Sequence, residues 1–192
     1  MITIQHGNIY KISDYARHLK NLTKEDRHSR FGYNASDYNI DQLILDMCYH
    51  PKDHELWYAR NDEQRVGWGH MAKNNDGTWE LAISVDKEFQ RQGIANDLIK
   101  EMLTWAKFHH ISEVYMHCIE DNRVIQHLAK KHELKTKERG DGERTATIEV
   151  PEPNFVEANT QLFKEQAEIV AEIARLRAKL ASLWLSTSHH ID

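Results

Sequence analysis

Apolar positions along this chain switch between a period near two and a period near three and a half, and each switch marks an element. Trp79, Leu81, Ile83 and Val85 alternate with Glu80, Ala82 and Ser84, the pattern of a half-buried strand. Ala95, Leu98, Met102 and Ala106 then recur at helical spacing, predicting a helix from Ile94 to about His109. Upstream, Ile40, Leu43, Ile44 and Met47 also follow helical spacing, and Pro51 closes that region. Leu56–Ala59 and Arg65–Met71 read as strands joined by a turn at Asn61-Asp62-Glu63-Gln64, and Asn74-Asn75-Asp76-Gly77 is a second turn.

The rest is read the same way. Asn8–Ile12 fits a short strand, and Ser13-Asp14 fits a helix cap before Tyr15. Thr23-Lys24-Glu25-Asp26 opens a second helix. Val114–Ile119 is a strand, Asn122 to about His132 a helix, and strands near Leu134–Lys137 and Thr145–Val150 are joined by Gly140-Asp141-Gly142. This order predicts a mixed α/β layer architecture and not a doubly wound parallel sheet. Pro151 and Pro153 mark a boundary, giving a domain over 1–150 and an appendage over 151–192. In the appendage Phe155, Leu162, Ile169, Leu176 and Leu183 recur every seven residues on a helix from Asn154 to about Leu185.

Composition narrows the possibilities. The 192 residues are 40% hydrophobic and 29% charged, enough for a packed core. A formal charge of −5 argues against a general nucleic-acid binder and is compatible with a cationic acceptor. Cys48 and Cys118 lie far apart and form no metal spacing; they read as reduced and buried. The histidines of His50-Pro51-Lys52-Asp53-His54 and His109-His110 lack a third ligand at zinc-like spacing, so no metal is expected. No run approaches the ~18 apolar residues of a membrane span, and the expected location is the cytoplasm.

The chemistry lies where strand turns into helix, at Val85-Asp86-Lys87-Glu88-Phe89-Gln90-Arg91-Gln92-Gly93-Ile94-Ala95. A glycine-containing loop opening a helix presents free backbone N–H groups at the positive end of the helix dipole, which suits an anion such as a pyrophosphate. The N–H groups of Arg91 to Asn96 are the candidate donors, with the side chains of Arg91 or Gln92 as further contacts.

These residues resemble the GNAT superfamily of acyl-CoA-dependent N-acetyltransferases over roughly 8–150. Gln90-Arg91-Gln92-Gly93-Ile94-Ala95 is similar to its Q/R-x-x-G-x-G/A signature, with the apolar Val85 at the required offset. Asn122, opening the helix after the next strand, is similar to the second hallmark. The resemblance implies a central, mostly antiparallel sheet splayed between its fourth and fifth strands, with helices on both faces. It implies acetyl-CoA as co-substrate, a site for it at Ile83, Ser84, Val85, Gln90, Arg91, Gln92, Gly93, Ile94, Ala95, Asn96 and Asn122, and Val85 N–H as oxyanion donor. It also implies an amine acceptor, a small molecule or a protein amine, in a pocket shaped by Arg30, Phe31 and Tyr33.

Glu80 is the candidate general base, on the strand face opposite Trp79, Leu81 and Ile83; a solvent-facing, paired glutamate is the alternative. The family's usual tyrosine acid corresponds to Ala129 here, which leaves Tyr115 or His117 as candidates, or a thiolate departing unaided. Glu133 stands where the family usually has glycine. Two functions follow: direct acetyl transfer to a primary amine, or a catalytically inactive CoA-binding module acting through its C-terminal helix. The heptad pattern suits a homo-oligomer contact, although Phe163 and Val170 widen the stripe enough for packing on the domain itself.

Overall fold

The computed structural model describes residues 1–7, 9–119, 135–139 and 143–188. Two compact units separate within it, Met1–Glu152 and Pro153–Asp192. The first unit is built on seven strands: β1 (Ile2–His6), β2 (His54–Asn61), β3 (Gln64–Lys73), β4 (Trp79–Val85), β5 (Glu113–Ile119), β6 (Lys135–Arg139) and β7 (Glu143–Glu149). They form one sheet in the order β1-β2-β3-β4-β5-β7-β6. Every pairing is antiparallel except β4 with β5. That parallel pair touches only at Trp79/Val114 and Glu80/Tyr115 and then parts, which is the splay the resemblance implied.

Among the described residues four helices belong to this unit: α1 (Ile12–Asn21), α2 (Lys24–Phe31), α3 (Asp37–Tyr49) and α4 (Ile94–Phe108). On one face α4 buries Leu98, Ile99, Met102 and Ala106 against Val66, Met71, Leu81 and Val114. Gly69 makes this approach possible, because a Cβ there would collide with Met102 Sδ. On the other face Tyr15 and Leu19 of α1 and Ile40 and Met47 of α3 pack with Leu56, Tyr58 and Trp68. The local signals behave as their chemistry requires. Thr23 caps α2, its side chain accepting from Asp26 N–H at 3.1 Å, and Ser36 forms a reciprocal capping box with Asn39.

The amino terminus departs from the expectation. The strand is Ile2–His6, while Ile9–Lys11 is a 3-10 turn and α1 begins at Ile12, so the strand expected over 8–12 is not formed by Ile9–Ile12; Asn8 lies outside the described residues. Ser13 and Asp14 therefore lie inside α1 instead of capping it; Lys11 is the N-cap and makes no side-chain cap bond. Tyr15 and Leu19 decide this, because they bury completely only if Ile12 already belongs to the same helical stripe. Cys48 is free but exposed on α3, not buried as expected. The 122–132 helix, Ala129, Glu133 and the 140–142 turn lie outside the described residues, as do the side chains of His117 and Cys118.

The second unit is a single helix, α5 (Phe155–Ser188). Ile169 and Leu176 of the seven-residue pattern are exposed along it, as are Phe163, Val170, Ile173 and Leu180. Among the described residues no helix is long and apolar enough to cross a membrane.

Candidate active site

The site is organised by the end of β4 and the turn into α4. The N–H of Asp86 donates to Val66 C=O at 2.9 Å. Backbone groups alternate sides along a strand, so Ser84, Ala82 and Glu80 also direct theirs toward β3, while Val85, Ile83 and Leu81 face β5. Beyond Glu80 there is no β5 ladder to meet them. Ile83 and Val85 therefore present main-chain groups to the opening between the strands. The backbone of Ser84 belongs to the β3 side.

Two residues of the loop take left-handed backbone, Arg91 at φ 62° and Gly93 at φ 86°. Gly93 is the N-cap of α4 with no side-chain cap, and a Cβ built there would meet no atom within 4 Å. Among the described residues no hydrogen bond engages the N–H of Arg91, Gln92, Gly93, Ile94 or Ala95. A run of main-chain donors thus converges on open space at a helix start, which fits the diphosphate of a CoA thioester. Side chains brace this loop from within. Gln90 Nε2 donates to Val85 C=O and to Asp26 Oδ1, both at 3.1 Å, and Gln92 Nε2 donates to Glu88 C=O at 3.2 Å. Gln90 and Gln92 thereby hold the loop's shape, while Arg91 is exposed. Ile94 is buried and anchors α4 in the core, and Asn96 Nδ2 reaches Asp97 Oδ1 at 3.4 Å.

Glu80 lies with Ala82 and Ser84 on the face opposite the α4 core, in register with Ala72 across β3 and with Tyr115 across β5. Tyr115 OH accepts a hydrogen bond from Asn74 Nδ2. Burial, and the nearby negative charge of Glu80, push its phenol above the ordinary value, so it holds its proton at neutral pH. Arg30, Phe31 and Tyr33 sit at and after the C-terminal end of α2, which lies against β4 and β5. Arg30 stacks over Phe31 at 4.9 Å, and the Phe31 and Tyr33 rings are 6.0 Å apart. Asn122 lies outside the described residues.

Two polar arrays on this face were not foreseen. In the first, His18 Nε2 meets Ser84 Oγ at 2.8 Å and His18 Nδ1 meets Asp86 Oδ1 at 3.0 Å, with His18 and Ser84 buried. The array ties α1 to both neighbours of Val85. In the second, Arg30 Nη2 lies 3.3 Å from His70 Nδ1, His70 Nε2 lies 3.1 Å from His54 Nδ1, and His54 Nε2 lies 3.0 Å from Asp46 Oδ2. A guanidinium can only donate, so His70 Nδ1 accepts and the ring's one N–H, on Nε2, is directed toward His54. Burial, then the charges of Arg30 and His54, hold His70 well below the usual histidine value, so it is neutral. Burial opposes the ionised form of Asp46, but hydrogen bonds and charge from His50 and His54 outweigh it and lower its carboxyl. The signal for both arrays was available: His18 occupies an inward position of the α1 stripe, and His70 is in register with Ala82, on the Glu80 face. Among the described residues no group of three His, Cys, Asp or Glu is placed to hold a metal ion.

The family model described as the acetyltransferase (GNAT) family matches residues 17–133. The chain belongs to the GNAT acetyltransferase family. The match starts within α1 and includes the splayed strand pair and the phosphate-type loop, so the acyl-transfer class and the loop geometry agree. Solved structures of this family share its fold. A GNAT acetyltransferase from Staphylococcus aureus is 18% identical with TM-score 0.62, over 79% of this chain and 100% of that one. The PaiA N-acetyltransferase of Thermoplasma acidophilum, solved with coenzyme A, is 15% identical with TM-score 0.61, over 78% and 99%. A chimera of the Vibrio cholerae spermidine N-acetyltransferase is 16% identical with TM-score 0.58, over 77% and 95%. No functionally curated protein matches the chain by sequence.

Proposed function

We propose that this GNAT protein moves an acetyl group from acetyl-CoA to a primary amine by direct attack, with residues 1–150 as the catalytic domain. The observation that supports this reading best is the set of unengaged N–H groups from Arg91 to Ala95, beside a β4 edge that β5 leaves open. Those amides, with Asn96 and Asn122, are assigned to the diphosphate and the pantetheine arm. The main chain of Ile83 and Val85 lines the arm's path, and Val85 N–H receives the charge that grows on the thioester oxygen. Ser84 contributes through its side chain, by holding this segment to His18.

An ammonium has no lone pair, so the acceptor must lose a proton before it attacks. Glu80, on the acceptor face, is the base in this reading. The bond from amine nitrogen to carbonyl carbon forms and the carbon–sulfur bond breaks. The nitrogen sheds its second proton to solvent as the amide forms, the thiolate takes a proton from an acid, and the proton held by Glu80 restores that acid through solvent. Tyr115 is the donor, because it stands in register with Glu80 and keeps its phenol protonated. α5 is assigned to a homo-oligomer contact, since its described apolar stripe is solvent-exposed over more than three turns.

The test is calorimetric titration of coenzyme A, followed by thiol release from acetyl-CoA with a panel of amines. Saturable binding with thiol release supports the enzyme. Tight binding with no release for any amine leaves a CoA-binding module instead, and no binding by folded protein refutes both.

A further inference from the structure

Arg30 stands out among the charged groups on the acceptor face. Its guanidinium is part-buried on α2, the helix that lies against β4 and β5. Its partners are neutral: Tyr15 OH at 3.0 Å, the uncharged His70 at 3.3 Å, and the Phe31 ring at 4.9 Å. Nε is fully buried and makes no hydrogen bond. Arg17, Arg27, Arg60 and Arg65 each have a carboxylate within 3.1 Å, supplied by Asp14, Asp37, Glu63 and Asp14 again. Among the described residues none lies within ion-pair distance of Arg30. The acid at the end of its hydrogen-bond chain, Asp46, is two imidazoles away.

A guanidinium withdrawn from water is costly unless an anion meets it; with both Nη2 protons directed at Tyr15 and His70 and Nε buried, Nη1 is the group left to meet a carboxylate. This one is held in place by Tyr15 and His70, so little ordering remains for a ligand to impose. The position also fits the chemistry. His70 is in register with Ala82 and Ala72 with Glu80, so His70 is a diagonal neighbour of the candidate base on the same face. Diagonal neighbours lie about 7–8 Å apart, so the histidine that holds Arg30 stands close to the candidate base on one face of the sheet. A bare polyamine would bring further positive charge to Arg30.

We propose that Arg30 is a carboxylate-binding residue of the acceptor site, and that the acceptor is a small amine carrying a carboxylate, of the amino-acid class. This rests on the amine-acetylation reading above. The carboxylate could belong to a free amino acid or to the carboxyl terminus of a peptide, and the experiment separates them.

The full-length protein, with and without saturating coenzyme A, is titrated with the twenty amino acids, their amides, their decarboxylated amines, and dipeptides with free and amidated carboxyl ends. An amino acid and its amide are close to the same size, and the main difference at the carboxyl end is the negative charge that Arg30 would meet. The expected result is at least one amino acid bound about tenfold or more tightly than its amide, in line with a charge-assisted pair. In Arg30→Met that ratio falls to about one, and in Arg30→Lys it is partly kept. A preference found only with the free dipeptides assigns the carboxylate to a peptide and overturns the small-molecule class. No acid-over-amide preference anywhere in the wild-type panel, or one that survives Arg30→Met, overturns the role of Arg30. Circular dichroism and melting confirm that each variant folds, and the wild-type comparison needs no variant. A chain that fails to bind coenzyme A refutes the acetyltransferase reading, while the acid-over-amide ratio is still read on the unliganded protein.

Discussion

Gly93 and Gly77 make a matched pair on which the phosphate-loop reasoning can be tested. Gly93 has φ 86° and Gly77 has φ 85°, and a Cβ on either would meet nothing within 4 Å. Replacing each by alanine imposes the same backbone penalty, about 1–2 kcal/mol for an L-residue in left-handed geometry. In a chain of this size that lowers Tm by about 2–4 °C for each kcal/mol. The two sites differ in what the empty space is for. Gly77 closes the 74–77 turn, its N–H already donating to Asn74 C=O at 2.9 Å. At Gly93 the new methyl would sit among amides that no protein group engages. Displacing an anion from one or two charge-assisted bonds costs about 1.5–3 kcal/mol, or roughly 10- to 100-fold in affinity. Scanning fluorimetry measures the first quantity and calorimetric titration of coenzyme A the second. The expected outcome is a similar melting loss in both variants, with weakened binding confined to Gly93→Ala. If Gly93→Ala bound coenzyme A within about twofold of the wild type, the loop would be a strand-to-helix connection and the anion argument would fail.

Glu80→Gln should remove the acid limb of the kcat/KM profile, and Tyr115→Phe should remove the alkaline limb; an unchanged profile in either excludes that residue from proton transfer. His70 is neutral when folded but titrates near 6.5 when unfolded. Its folded value is the lower one, so its contribution is present above pH 6.5 and is lost as pH falls through that window. Relative to His70→Gln, the wild type should lose up to about 1.4 kcal/mol of stability per pH unit there, read from urea midpoints. Ser84→Ala leaves His18 Nε2 buried without its 2.8 Å partner and should cost about 1–3 kcal/mol in the same assay. Truncation after Pro153 should abolish the oligomer in light scattering while coenzyme A binding persists; a monomeric full-length protein would exclude the oligomer role of α5.

The sequence was most readable where local period and tertiary burial agree. β4 and α4 each bury one clean stripe on the same core, so Trp79–Val85 and Ile94–Phe108 emerged with nearly correct ends. The splay was an implication of the family resemblance, whereas the left-handed backbone of Gly93 was not foreseen, its missing side chain having suggested only close approach. The amino terminus was harder because Ile9, Tyr10 and Ile12 have strand-like character, and only the burial of Tyr15 and Leu19 shows that Ile12 starts a helix. β1 is short, exposes Thr3, and pairs with β2, a partner 50 or more residues away in the chain, so nothing local marks it. Gln90 illustrates a different limit. Its place in the motif suggests a ligand contact, yet its amide turns inward to Val85 and Asp26, and no spacing rule predicts that rotamer.

The two faces of the sheet are built on different principles, and the difference bears on function. The α4 face is closed by an apolar cluster. The three buried polar side chains among the described residues, His18, His70 and Ser84, all lie on the other face. Burying such groups is unfavourable unless each finds a partner with good geometry, and an apolar residue of similar size would stabilise the fold as well or better. Their bonds instead fix particular atoms. His18 ties α1 to the residues on either side of Val85, and His70 sets the direction of Arg30. Satisfied polar contacts of this kind restrict orientation more sharply than apolar packing does. Stability alone would not concentrate them beneath α1 and α2. Acyl transfer gives a reason: the carbonyl oxygen's donor and the acceptor's anchor must both be held in place before the amine arrives.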